Sequence, residues 1–445
     1  MVPAHVVAVV LQAAAAVKTS KYLNHKTSTK SDEPSSDFVL LVAPNGSYRI
    51  SPYVQAASNL QLKILIISDS EHSLVSEVAQ GIHVDFNKIQ AALDTIFSAI
   101  AKKNILAVIP TDDKCVDIAS QIAAKLNLPH NSPESAKLTY RKDLARLALQ
   151  AQQCNTPEFK VINFKDIDDI AAALNYPVVL KPLMLSGSKG VIRADNADEC
   201  KIAAKRIKAI LLTQNNSAYE YQHILIESYL DGQEVAVEGF MINGEFQLLT
   251  LFDKPEALTG PYFEESYYLT PSKLGKAIQH DILFEINRCC LAYGLSHGPI
   301  HAEARLTKEG VFLLEIASRT IGGQCAQLIE FSLGVKLEEL VISYMCSRTT
   351  AFQKQQKYAG VLMIPITKQG MLKRVEGLTQ ALQVKNIIDI EIHIQPGYEL
   401  IPLPEGSSYL GFIFAQSDQF ESTLNALRQA YEKLKFITQP VWKIG

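Results

Sequence analysis

Residues Ile300 to Arg319 constrain the fold of this chain more than any other stretch. They read Ile300-His301-Ala302-Glu303-Ala304-Arg305-Leu306, a turn at Lys308-Glu309-Gly310, then Val311-Phe312-Leu313-Leu314-Glu315-Ile316-Ala317-Ser318-Arg319. The pattern predicts a β-hairpin that brings two carboxylates to one place. Alternate residues of a strand share a face, so His301, Glu303 and Arg305 line one side of the first strand and Ile300, Ala302, Ala304 and Leu306 the other. In the second strand the same alternation sets Glu315 beside Val311, Leu313 and Ala317. An ionised carboxylate on an apolar face is costly unless something pairs with it. A hard cation held by Glu303 and Glu315 would meet that need, and Mg²⁺ takes few carboxylates when phosphate oxygens complete its shell. An ordinary hairpin with a Glu–Arg pair is the plain alternative.

The chain has 445 residues, more than one core holds. A net charge of −3 argues against broad nucleic-acid binding, which needs a basic face. The seven cysteines are scattered without a C-x-x-C pair, which suggests neither a zinc site nor a disulfide framework. The expected location is the reducing cytoplasm. Val2 to Val17 is apolar but shorter than the ~20 residues a membrane span needs, and it lacks a basic leader segment. Lys18 to Asp37 reads as a linker.

Apolar runs at Phe38–Val42, Lys63–Ile67 and Ile105–Ile109 alternate with helical patterns at 52–59, 89–101 and 118–126. Strands alternating with helices predict a parallel, doubly wound lobe over about 38–135. It has no G-x-G-x-x-G fingerprint. Pro110-Thr111-Asp112-Asp113 follows the third strand, where such sheets place ligands, although a simple turn explains it equally well. A helix is predicted over 133–150, then a strand-rich region with strands at 178–180, 224–227, 234–240 and 247–251 and helices at 200–212 and 276–293. The final region, 356–445, mixes short strands with two helices.

Several further pieces carry chemistry. Lys181 closes the apolar strand Val178-Val179-Leu180, and its charge must reach water or an anion. The following Ser186-Gly187-Ser188-Lys189-Gly190 supplies N–H donors suited to phosphate, without the Walker A spacing. Lys142 lies early in a helix. Glu227-Ser228-Tyr229-Leu230 leaves one strand, and Glu234 opens the next. Backbone groups at such a break suit an adenine, and a carboxylate suits ribose hydroxyls. Taken singly, the Ser/Gly loop, Lys142 and the Glu227 to Glu234 segment are better explained by a turn or a solvated face.

Their order, Lys142, Lys181, Ser/Gly loop, Glu227 to Glu234, Glu303, Glu315, Arg319, resembles the ATP-grasp superfamily. Over about 38–445 it is similar to the carboxylate–amine ligase branch that includes bacterial L-amino-acid ligases. Gly298 to Glu303 and Glu315 to Gly323 match best, and Gly370-Met371-Leu372 with Gln395-Pro396-Gly397 resembles that branch's final domain. The resemblance implies an α/β and α+β protein in four parts. An N-terminal extension occupies 1–37, a parallel α/β domain 38–135, an ATP-grasp fold of two α+β subdomains 136–355 and a small α+β lobe 356–445.

It also implies the roles. Lys142 and Lys181 would bind the α- and β-phosphates, with Ser186, Gly187, Ser188 and Gly190 closing over them. Glu227, Ser228, Tyr229 and Leu230 would hold adenine and Glu234 the ribose. Glu303 and Glu315 would hold two Mg²⁺ ions, with Mn²⁺ as an alternative metal. Arg319 would face the transferring phosphoryl group. His301 would either move a proton or orient Glu303. Many ATP-grasp enzymes carry Asn two residues after the second metal-binding Glu; here that residue is Ala317, and water would complete the shell. The expected activity is ATP-dependent formation of an amide, a dipeptide or an amino-acid conjugate, from a carboxylate and an amine through an acyl phosphate, with release of ADP and phosphate. Carboxylating or purine-pathway ATP-grasp chemistry and a non-catalytic Mg-ATP module are the alternatives. The loop Phe252 to Tyr268, rich in aromatics and acids, is the expected substrate reader, with Glu264 or Glu265 on an ammonium. No nucleic acid, no membrane span and an allowed homo-oligomer complete the expectations.

Overall fold

In the computed structural model, residues 37–69, 80–214, 217–348 and 357–441 are described. The expected N-terminal apolar stretch and linker lie outside them, apart from Asp37. The first sheet follows from apolar runs that only a doubly covered strand can bury. Strands β1 (Asp37–Ala43), β2 (Lys63–Ser68), β3 (Gln80–His83) and β4 (Asn104–Pro110) lie in the order β3-β2-β1-β4, all parallel. Val39 to Ala43 are fully buried. β3 is too short and mixed for periodicity to reveal. Helices Ile89–Ile100 and Val116–Lys125 turn Ala92, Leu93, Ile96, Ile118 and Ile122 onto one face of this sheet.

The single helix expected over 133–150 is two helices, Pro133–Leu138 and Lys142–Ala151. The first starts on a Ser132 cap that accepts from the Ser135 N–H, with Pro133 at the position that tolerates a missing donor. The Thr139 hydroxyl takes the Ala136 carbonyl at 2.7 Å, and Arg141 is extended. A threonine bonding back to the chain competes with the helix there, and the apolar period runs across the break unseen.

β5 (Phe159–Asn163), β6 (Val178–Lys181), β7 (Ile192–Ala194) and β8 (His223–Ser228) form an antiparallel sheet in the order β5-β8-β6-β7. Helix Ala197–Leu212 covers it through Cys200, Ala203, Ala204 and Ile207. The largest sheet runs β13-β12-β9-β10-β11-β14-β18-β16. Its members are β9 (Gln233–Ile242), β10 (Glu245–Asp253), β11 (Tyr267–Thr270), β12 (His297–Thr307), β13 (Gly310–Ala317), β14 (Tyr358–Ile364), β16 (Ile387–Ile392) and β18 (Gly411–Ser417). Strands on both sides of residue 355 thus share one sheet, joined where β11 pairs with β14. A three-stranded sheet of β17 (Glu399–Leu400), β15 (Gly370–Glu376) and β19 (Lys435–Gln439) completes the fold.

Candidate active site

The hairpin forms, but its second strand does not alternate strictly. Glu303 pairs with Glu315, while the next pair is Ala304 with Leu313. Leu314 is therefore an extra residue, a β-bulge, and such bulges re-aim the side chains that follow them. Val311, Leu313 and Ile316 all enter the core. Glu315 is moved off the apolar face that alternation assigned to it and stands opposite Glu303. The Leu314 carbonyl is pinned by Arg146 Nη2 at 2.8 Å.

Arg146 also binds Glu227 at 2.6 Å, and Lys181 Nζ binds the other oxygen of Glu227 at 2.6 Å. Burial pushes the Glu227 carboxyl up, but these two cations outweigh it and hold the pKa at about 2. Burial lowers the Lys181 ammonium, with Glu227 opposing. Lys142, at the start of its helix, reaches the Leu185 carbonyl at 2.8 Å and Glu315 at 3.3 Å. One chain of charges thus links both phosphate-binding candidates to the bulge.

On the other side of Glu303 lies a buried cluster that the sequence reading missed. Lys254, 3% exposed, donates to Glu234 at 2.7 Å and to Glu265 and Glu303 at 2.8 Å each. These three carboxylates lie close enough to share a cation, and the ammonium of Lys254 is that cation. Arg305 takes the second oxygen of Glu234 at 2.6 Å, so both oxygens of the expected ribose acceptor are paired. Burial and the Glu303 charge push Glu265 up to about 7. His301 lies between Glu238, 3.2 Å from Nδ1, and Glu303, 3.8 Å from Nε2. Burial opposes its charge, yet the two carboxylates raise its pKa to about 9. Imidazolium clamped between two acids suits orientation of Glu303 better than proton transfer. Lone charges inside apolar runs, Glu238 within Val235–Phe240 and Lys254 after Phe252-Asp253, were the available signal.

The metal expectation fits this arrangement. Two carboxylates directly opposite on neighbouring strands repel, and Lys142 and Lys254 offset only part of that charge. Glu303 and Glu315 remain the pair that could hold Mg²⁺, with phosphate and water completing its shell. Ala317 is fully buried, and Ser318 bonds Thr139 instead, at 3.2 Å.

A cavity of about 750 Å³ opens over these groups. It is lined by Lys142, Lys181, Ser186, Gly187, Ser188, Glu227 to Leu230, Glu234, His301, Glu303, Glu315 and Arg319. Gly190 alone of the residues expected to hold nucleotide or metal is absent from the lining. Its N–H donates to the Pro404 carbonyl at 2.9 Å, and a Cβ there would stand 2.7 Å from Pro182 Cγ. Arg319 is bound at both Nε and Nη2 by Asp113, at 2.8 Å each. That places Asp112 and Asp113, from the Pro110-Thr111-Asp112-Asp113 turn after the third strand, at the cavity wall. From the loop expected to read substrate, Phe263, Glu265 and Tyr268 line the cavity, whereas Glu264 accepts the Ile366 N–H at 3.1 Å.

Residues 174–327 match the family model described as ATP-grasp domain, and residues 362–439 match that described as L-amino acid ligase C-terminal domain 2. The chain is 22% identical over 431 residues to an uncharacterized protein of Sinorhizobium fredii, covering 94% of this chain and 87% of that one. It is 23% identical over 381 residues to dapdiamide A synthase of Enterobacter agglomerans, covering 81% of this chain and 86% of that one. The fold is shared with the crystal structure of an L-amino acid ligase from Bacillus licheniformis. The TM-score is 0.78 at 24% identity, over 92% of this chain and 100% of that one. No helix among the described residues is long and apolar enough to cross a membrane.

Proposed function

Given that this chain is an ATP-grasp protein with an L-amino acid ligase C-terminal domain, an ADP-forming carbon–nitrogen ligase by kind, we propose that it joins two amino acids, or an amino acid and another amine, through an acyl phosphate. A substrate carboxylate oxygen attacks the γ-phosphorus of ATP, and the bond to the β-phosphate oxygen breaks to release ADP. The amine then attacks the acyl carbon, phosphate leaves, and the amine loses a proton to give the amide. The substrate class is carried over from the relatives' names.

The observation that carries this reading is Glu303 standing opposite Glu315 beside Lys142, in the cavity that Lys181 and Ser186 to Ser188 also line. Phosphoryl transfer asks a protein for positioning and charge rather than covalent chemistry. Lys142, Lys181 and the N–H groups of the Ser/Gly loop suit the α- and β-phosphates. The Glu227–Leu230 segment suits adenine, and Glu234 lies beside it for the ribose. Glu303 and Glu315 would hold Mg²⁺, which supplies positive charge to the phosphates. His301 keeps Glu303 in place. Arg319, steadied by Asp113, faces the reacting carboxylate.

Purified protein with Mg-ATP and single and paired amino acids tests the reading. Amino-acid-dependent ADP and phosphate, with a new amide mass, is expected, and Glu315→Ala should reduce it at least a hundredfold, within the range such charge stabilisation supplies. AMP and pyrophosphate would overturn the acyl-phosphate route. Unchanged turnover in Glu315→Ala would overturn the metal assignment.

A further inference from the structure

One buried cation in this cavity has no work in the phosphoryl chemistry. Arg49 precedes the helix Ile50–Asn59, in the loop that leaves the carboxyl end of β1. Parallel sheets receive ligands at that end. The residue is 7% exposed and lines the cavity beside Tyr48 and Gly322. Nη1 donates to the Thr111 carbonyl, and Nε donates to the Tyr48 hydroxyl at 3.3 Å. Nη2 has no hydrogen-bond partner among the described residues. A Cβ built on Gly322 would lie 3.1 Å from it, so the glycine leaves that nitrogen room at the cavity wall.

No carboxylate among the described residues lies within ion-pair distance of Arg49; Asp113 and Glu338 feel its charge from farther off, and Asp113 is already bound to the neighbouring Arg319. A guanidinium stays charged at every relevant pH. Burying it without a directly bound anion is unfavourable, and its planar fork matches a carboxylate. The phosphates of ATP are already supplied with Lys142 and Lys181, which leaves the substrate carboxylates. The acyl donor's carboxylate changes to acyl phosphate and then to amide, so a fixed anion clamp on it would have to let go during reaction. The amine donor's carboxylate keeps its charge from binding to product, and a rigid clamp there aims the amine without opposing the chemistry.

We propose that Arg49 binds the free α-carboxylate of the amine-donating amino acid, and so selects amino acids over simple amines as acceptors. This rests on the ligase reading above.

The test measures product formation by wild type, Arg49→Gln and Arg49→Lys with each amino acid as acceptor and with the matching α-carboxamide. Wild type should favour the free acid over its amide by about tenfold or more, the worth of a charged hydrogen bond. Arg49→Gln should lose that preference by weakening the acid alone, with KM for ATP and turnover of the amide unchanged. Arg49→Lys, which keeps charge but not the fork, should recover it in part. Equal use of acid and amide by wild type, or an equal loss for both in Arg49→Gln, would overturn the proposal. If wild type makes no amide from any amino acid, the ligase reading fails separately. Thermal shifts with a non-hydrolysable ATP analogue, Mg²⁺ and single amino acids then decide the matter. A free-acid shift that Arg49→Gln abolishes, with the nucleotide shift retained, supports Arg49 as a carboxylate site. No such difference overturns it.

Discussion

Glu227 shows how a single residue ties the fold to the site. Its two oxygens bind Arg146, which holds the bulge, and Lys181, which lines the cavity. Glu227→Gln leaves both cations buried without their anion, and we expect a loss of ~3–5 kcal/mol in urea unfolding. The pH dependence has a definite sign. The folded-state pKa, about 2, lies below the ordinary 4.5. The ionised group therefore stabilises the fold above about pH 4.5, and that contribution is lost as pH falls toward 2. Unfolding curves between pH 5 and 2.5 should be steeper for wild type than for Glu227→Gln (a range set by the two pKa values). Lys254 is the second such residue. Lys254→Met removes the one cation shared by Glu234, Glu265 and Glu303, and the stability lost at neutral pH should return in part in mild acid, where Glu265 can take a proton.

At the scale of an element, the bulge in β13 carries the site. One extra residue is what turns Glu315 toward Glu303 rather than toward Leu313 and the core. Deleting Leu314 removes the bulge and the carbonyl that Arg146 holds, while strict alternation from Leu313 still sets Glu315 opposite Glu303. We expect the deletion to lower Tm and to weaken Mg-dependent ADP formation without abolishing it. Leu314→Ala keeps the residue count and should leave turnover magnesium-dependent, although the requirement for ATP rises because the side chain lines the cavity. If the deletion and the alanine variant have the same Tm, the Arg146 contact at the bulge is not what holds this strand. The Ser/Gly loop makes a second case. Gly190 has φ +72° and Pro182 where a Cβ would go, so Gly190→Ala should misplace the loop and raise KM for ATP with a smaller effect on kcat.

Across the whole molecule, the sheet bearing Ser186 to Gly190 is tied to the C-terminal segment that precedes β18. Arg206 grips Glu405 at 2.5 and 2.8 Å, and Gly190 bonds Pro404. Both partners of the ion pair are about two-fifths exposed, so the pair contributes little stability, ~0.2–1 kcal/mol. Arg206→Ala should leave Tm nearly unchanged and loosen closure over nucleotide, read as a several-fold rise in KM for ATP. The C-terminal strands are a different matter. β14, β18 and β16 extend the same sheet as Glu303 and Glu315, so a chain ending at 355 would expose the edge of β11 and should be insoluble on expression.

Local signals in the sequence settled much of this protein. Apolar runs with helices between them gave the parallel sheet, because a strand buried on both faces leaves a continuous mark. The order of charged residues and glycines along the chain pointed to ATP-grasp chemistry, and Lys142, Lys181, Glu303, Glu315 and Arg319 all meet at one cavity. Tertiary structure decided the rest, because the rest depends on partners distant in sequence. The bulge at Leu314 is invisible to a period of two and is held by an arginine 168 residues away. The short β3, the break before Lys142, the pairing of Arg319 with Asp113 and the three acids around Lys254 likewise come from contacts between separate elements. Arg49 is the sharpest instance. In the sequence it is one cation at a helix start, and only burial without a directly bound protein anion marks it for a ligand.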